Sequence, residues 1–204
     1  MQEVTAEILI ERVWAYCEKI LSGEIKACQK HKWAVQRFFK DVEALADQDC
    51  PFYYDAEAVR DFYEWARQFR HVEGILAGEP IELTDFQLFI AANVYGFFKK
   101  ENGARRFRKV YIQLARKNAK SQFLALMASY EVFPTTEKHR VFIAGWSREQ
   151  SDEVYQAILE QLLRNISAIV VDQASDLQHR PQKKARKSRR EKSTHYRLEF
   201  TKAQ

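Results

Sequence analysis

The chain has 204 residues, of which 46% are hydrophobic and 13% aromatic, with six glycines and four prolines. This composition supports one or two domains with a real core, argues for a folded protein, and favours helix over sheet-and-turn architecture. The net charge of +5 is an uneven average: residues 178–204 hold ten Lys/Arg against two acids, so they carry +8 and the remainder −3. No apolar run approaches the roughly 18 residues of a membrane span, and the opening MQEVTAEILIERVW lacks the charged-then-apolar order of a secretory leader. Cys17, Cys28 and Cys50 show no metal-ligand spacing. They read as buried or half-buried free thiols in a reducing compartment.

In chain order, residues 5–21 place Ile8, Ile10, Val13, Trp14, Cys17, Ile20 and Leu21 at helical spacing, and Ser22-Gly23 punctuates the pattern. A second helix is predicted over 25–45, with Trp33, Val35, Phe38, Phe39, Val42 and Leu45 inward. Asp55 is a candidate N-cap for a third helix through Phe69, burying Val59, Phe62, Tyr63, Trp65 and Phe69. Gly74, Gly78 and Pro80 mark a loop, and Thr84 opens a fourth helix over 86–98.

The character changes at Arg105. Residues 109–114 are predicted as a strand, 120–132 as a helix and 140–144 as a second strand; Ser147 then caps a helix to about 164, and 166–171 forms a third strand. This alternation predicts a parallel α/β sheet. Nothing periodic remains after Ser175, and residues 178–192 read as a disordered basic tail. The expected organisation is therefore a helical N-terminal subdomain (1–103), the start of a P-loop NTPase parallel-sheet domain (104–174) and a basic tail (175–204). A parallel sheet of two or three strands would leave an unpaired edge and an uncovered apolar face.

The segment VYIQLARKNAKSQFLALMASY, residues 110–130, combines a β-branched strand, a cationic turn and a helix opening at Lys120-Ser121. A phosphate-binding loop has that local plan: backbone N–H groups and a helix N-terminus cradle phosphates, a Lys reaches them, and a hydroxyl holds Mg²⁺. The strict G-x-x-x-x-G-K-[ST] pattern is not met, because Leu114 and Ala119 replace its two glycines. Arg116, Lys117 and Lys120 crowd positive charge against the positive end of a helix dipole, a conflict that a bound polyanion relieves; a solvated basic turn is the alternative. Ala119 fits the bend only with negative φ or with strain on the order of 1 kcal/mol.

Other residues stand beside plainer readings. Gln87 can pair with an adenine edge through donor and acceptor together, or be a polar residue on a first helical turn. Residues 169–172, Ile-Val-Val-Asp, imitate a strand delivering Asp172 to Mg²⁺, but Gln173 stands where a general-base Glu is expected. The tail can bind DNA through counterion release or simply solubilise the terminus. Histidines 31, 71, 139, 179 and 195 show no ligand spacing.

Four blocks, in order, resemble the N-terminal part of the large terminase subunit of tailed bacteriophages. Residues 16–28 resemble its opening "V-L-S-G-x-I-x-A-C" helix. Residues 52–58 with 62–64 resemble the next block. Residues 73–83 through Gln87 and Phe89 resemble "G-x-x-A-G-x-P-(I/F)-x-L-x-x-W-Q-x-F", with Phe86 in place of Trp. Residues 106–121 resemble the family's deviant Walker A, "R-K-N-G-K-S", which tolerates loss of the first Gly. The resemblance spans roughly 12–165.

It implies an ATPase using ATP and Mg²⁺ to drive double-stranded DNA into a procapsid in the bacterial host cytoplasm. Its implied partners are a small terminase subunit and a portal protein, with no membrane. Carried over by position, Lys120 contacts the β/γ phosphates, Arg116 reaches the γ-phosphate, and Ser121 holds Mg²⁺. Lys117, Asn118 and Ala119 complete the loop, and Gln87 takes the adenine position; Asp172 is a candidate metal ligand on the reading of residues 169–172 alone. Gln150 matches a family glutamine with no role assigned. No downstream Walker B glutamate or nuclease domain is recognised, so a truncated product is expected, binding nucleotide but hydrolysing little. Two other readings are a helicase-like P-loop ATPase of another family and a non-enzymatic DNA-binding fragment acting through its basic tail.

Overall fold

The computed structural model describes residues 4–71, 75–115, 118–134, 140–145, 147–149, 151–152, 155–156 and 158–160. The chain divides into two compact units, 1–166 and 167–204, and the second lies wholly outside the described residues.

Helix α1 (Ala6–Ser22) starts where the Thr5 side chain accepts a hydrogen bond from the Ile8 N–H, and stops at Gly23, whose φ of 86° closes the last turn in the left-handed region. Its buried stripe is Ala6, Leu9, Val13, Tyr16, Cys17 and Ile20. Ile8 and Leu21, expected inward, are exposed. Both belong to the helical spacing read from sequence, and packing turns the buried face toward Leu9 and Tyr16.

Helix α2 (Gln29–Ala44) begins four residues later than the predicted start at Ile25 and lacks a side-chain cap at Cys28. Val35 and Phe38 are buried, but Trp33, expected inward, is 58% exposed. Cys17 and Cys50 are buried free thiols, whereas Cys28 is exposed.

Helix α3 (Ala56–Arg67) follows its predicted cap, the Asp55 carboxylate accepting from Ala58 N–H at 3.2 Å. All five predicted inward residues are buried: Val59, Phe62, Tyr63, Trp65 and Phe69.

Helix α4 (Asp85–Gly96) is the centre of the described fold. Every residue from Leu88 to Gly96 is buried, as a helix that is apolar all round requires. It packs against both α1 and α3. The predicted continuation to Phe98 is corrected: the helix ends at Gly96, and β2 (Phe97–Lys99) pairs antiparallel with β1 (Phe52–Tyr54) in the register Phe52↔Lys99, Tyr53↔Phe98, Tyr54↔Phe97. A Cβ on Gly96 would lie 2.4 Å from Cε2 of Tyr54, so only glycine lets the β1 ring close over this corner.

Helix α5 (Lys120–Val132) coincides with its predicted span and packs on α3. Phe123 and Tyr130 meet the Phe62 ring, Tyr130 also meets Trp65 and Tyr95, and Trp65 Nε1–H donates to Ser129 Oγ at 3.1 Å. Arg105 grips Glu131 through two 2.5 Å bonds, and its guanidinium lies 5.2 Å from the centre of the Tyr95 ring.

The predicted parallel sheet is not shown among the described residues. The two-stranded β1–β2 sheet is the only sheet among the described residues. Residues 109–114 and 140–144 carry no ladder there, and Tyr111 and Phe142 are 83% and 86% exposed. A parallel strand needs lateral partners and cover on both faces, and the third candidate strand, 166–171, lies outside the described residues. The described residues between 148 and 160 are helical, consistent with the predicted helix after Ser147.

Candidate functional site

A cleft of about 970 Å³ opens between two walls. The first is the connection from the end of α3 to the start of α4, including Arg67, His71, Pro80, Ile81, Glu82, Phe86 and Gln87. The second is the approach to α5, with Leu114, Asn118, Ala119 and Gln122.

The first wall is a small hairpin. Arg70 and Pro80 form an isolated antiparallel bridge, His71 N–H donates to Glu79 O at 2.9 Å, and Ile81 N–H donates to Phe69 O at 2.8 Å. Arg12 of α1 fixes the hairpin's exit by donating to Leu83 O at 3.1 Å and to Asp85 at 2.8 Å. Tyr63 O–H donates to Glu82 at 2.5 Å, and Arg67 pairs with the same carboxylate at 3.2 Å. Burial, reinforced by Glu82, pushes the Tyr63 phenol up to about 12, so it stays a donor at any physiological pH.

At the second wall Ala119 adopts φ 49°, ψ 26°. It is the one non-glycine residue with positive φ among the described residues. Of the two conditions set by sequence, the strained one holds: Ala119 keeps the left-handed bend that a glycine would supply. It offers no side-chain cap, so α5 begins with an uncapped N-terminal turn. The orphan N–H groups of such a turn, and the positive end of its dipole, favour an anion.

Gln87 reaches the cleft, but its carbonyl oxygen is already engaged. Oε1 accepts from Thr84 N–H at 3.0 Å and from the Thr84 hydroxyl at 3.1 Å, closing a capping box. Asn118 and Ala119 line the cleft from the loop side. Lys120 and Ser121 stand exposed on the first turn of α5, outside the lining, because positions 119 and 122 share the helix face that looks into it. Arg116, Lys117, Gln150 and Asp172 lie outside the described residues.

Gln122 and His71 also line the cleft and were not singled out from sequence. Gln122 is legible in retrospect as the residue three after Ala119, whereas His71 is delivered by the hairpin and has no local signal.

The two walls differ in charge. Glu79, Glu82 and the Arg67 that pairs with Glu82 lie on the hairpin side, while the loop side has no acid among its lining residues and ends at a helix N-terminus. A family model described as terminase large subunit, ATPase domain, matches residues 85–191, more than half of the chain. The chain belongs to the terminase large subunit family. The match begins at the first residue of α4, includes Gln87, the bend and all of α5, and continues past residue 165, where the block-by-block resemblance ends. Residues 166–191 therefore lie within the family match. Comparison with curated proteins found no match, and comparison with solved structures found none. No helix among the described residues is long and apolar enough to cross a membrane.

Proposed function

We propose that this terminase-family chain is the ATP-binding part of a motor that packages viral double-stranded DNA into procapsids, acting in the bacterial host cytoplasm with a small terminase subunit and a portal protein. The observation that carries this reading is the left-handed Ala119 directly before an uncapped helix that opens with Lys120-Ser121, at the edge of a cleft also lined by Gln87.

The residues present suit a magnesium nucleotide. The first-turn N–H groups of α5 would receive phosphate oxygens. Lys120, a mobile ammonium on a four-carbon stem, would reach the β/γ phosphates from the cleft rim. Arg116 would add charge toward the γ-phosphate, with Lys117 and Asn118 completing the loop. Ser121 would hold Mg²⁺ through its hydroxyl, and Asp172 would be a further ligand. Bound Mg²⁺ neutralises phosphate charge and so favours attack at phosphorus. The parallel sheet of a P-loop domain would form from residues 109–114, 140–144 and 166–171, with the domain beginning near residue 104.

Titration with a fluorescent ATP analogue, with and without Mg²⁺, tests this. Lys120→Ala should weaken binding at least about tenfold, a loss of about 1.4 kcal/mol, and Ser121→Ala should remove the dependence on Mg²⁺. Unchanged affinity in both variants would rule the reading out. Steady-state hydrolysis by the isolated chain is expected to be slow.

A further inference from the structure

The geometry points to Gln122, held by His71, as the residue that makes the cleft prefer adenine over guanine. This assignment rests on the cleft being the nucleotide site, and adds the half of base recognition that Gln87 cannot supply here.

An adenine edge offers one donor, the N6 amino group, beside one acceptor, N7; guanine offers two acceptors, O6 and N7. A selective site therefore needs one protein donor and one protein acceptor. A side-chain amide oxygen has two lone pairs. Both of those on Gln87 Oε1 are used by Thr84 N–H and Thr84 Oγ–H. What Gln87 can still present is its NH₂, which makes no hydrogen bond among the described residues. Gln87 is thus a donor to the base and not a two-way partner. The acceptor must come from elsewhere on the lining.

Gln122 supplies it. Its Nε2 lies 3.3 Å from His71 Nδ1. An amide nitrogen only donates, so Nδ1 accepts and the imidazole carries its proton on Nε2. With the amide nitrogen committed to His71, Gln122 Oε1 remains as an acceptor without a hydrogen bond among the described residues. Both residues line the cleft, and their contact ties the hairpin wall to the first turn of α5. Phe86, half-buried on the same lining, offers a ring face to a base. Adenine then meets a donor from Gln87 and an acceptor from Gln122, whereas guanine sets O6 against the Gln122 oxygen. His71 is a positioning residue: it touches no base and fixes which end of the Gln122 amide faces the cleft.

The test is displacement of the fluorescent ATP analogue by ATP, GTP and inorganic tripolyphosphate, each with Mg²⁺. The full chain should bind ATP at least about tenfold more tightly than GTP, the scale of one well-made base contact. Gln122→Leu should bring the two within about threefold and leave tripolyphosphate affinity unchanged. His71→Ala should reproduce that loss. His71→Asn, which returns an acceptor near the Nδ1 position, should restore the preference, a rescue that packing alone would not give. Thermal midpoints of the variants separate misfolding from loss of selectivity, and Gln122→Met serves if the leucine variant is unstable. An ATP-to-GTP ratio unchanged by Gln122→Leu, or no preference in the unsubstituted chain, overturns the inference while the phosphate loop stands. Tripolyphosphate binding that survives Lys120→Ala overturns the phosphate loop itself, and the base assignment with it.

Discussion

At the scale of single residues, backbone strain and solvation decide the informative positions. Ala119 occupies a conformation in which a Cβ meets the adjoining backbone, a penalty of roughly 1–2 kcal/mol. Ala119→Gly should relieve it. Part of that gain is offset by the greater freedom of the unfolded chain, so the net rise in stability is about 1 kcal/mol by urea denaturation; a loss of stability would show that the left-handed bend is wrong. His31 carries a different signal. It shares a 2.9 Å hydrogen bond with Tyr16 and sits among the Phe86 and Phe89 rings, and burial lowers its pKa from the ordinary histidine value. In the unfolded chain His31 protonates as pH falls through about 6.5, while in the folded chain it resists. The unfolded state therefore binds more protons in that window, and stability falls with acidification. Urea midpoints at pH 7.5 and 5.5 should differ more for the native sequence than for His31→Gln, and equal differences would refute the assignment.

At the scale of elements, helices were legible wherever caps and apolar period agreed. Asp55 and Thr84 were both readable as starts because each offers an oxygen to the N–H three residues on. Strands β1 and β2 were not legible. Three residues give no period to read, and Phe97-Phe98 continues the apolar run of α4, so the run looked helical. Gly96 is the residue that turns helix into strand, through the Tyr54 ring that packs on it. Gly96→Ala drives a methyl into that ring and should destabilise by about 1–3 kcal/mol, read as a lowered denaturation midpoint. A neutral effect would mean that the corner has room the geometry denies.

At the scale of the whole molecule, the alternation after Arg105 was read as a sheet, and the described residues hold its would-be strands without ladders. Val110, Tyr111, Val141 and Phe142 all face solvent. Exposed apolar segments of high β-propensity template association, so the chain should self-associate at micromolar concentration. Tyr111→Lys combined with Phe142→Lys should shift the distribution toward monomer in sedimentation velocity; a native chain already monomeric would count against it. The site divides along the same line as the fold. The start of α5 and the cap of α3 were determined by sequence, because each depends on residues within a turn of one another, whereas the left-handed φ of Ala119 was one of two conformations the residues allowed. Only tertiary structure decided that Thr84 consumes the acceptor of Gln87, that His71 meets Gln122 across 51 positions, and that Lys120 stands at the rim rather than in the lining. Those outcomes depend on how the α3–α4 hairpin packs against α5, and contacts between distant segments leave no period, cap or spacing in the residues that make them.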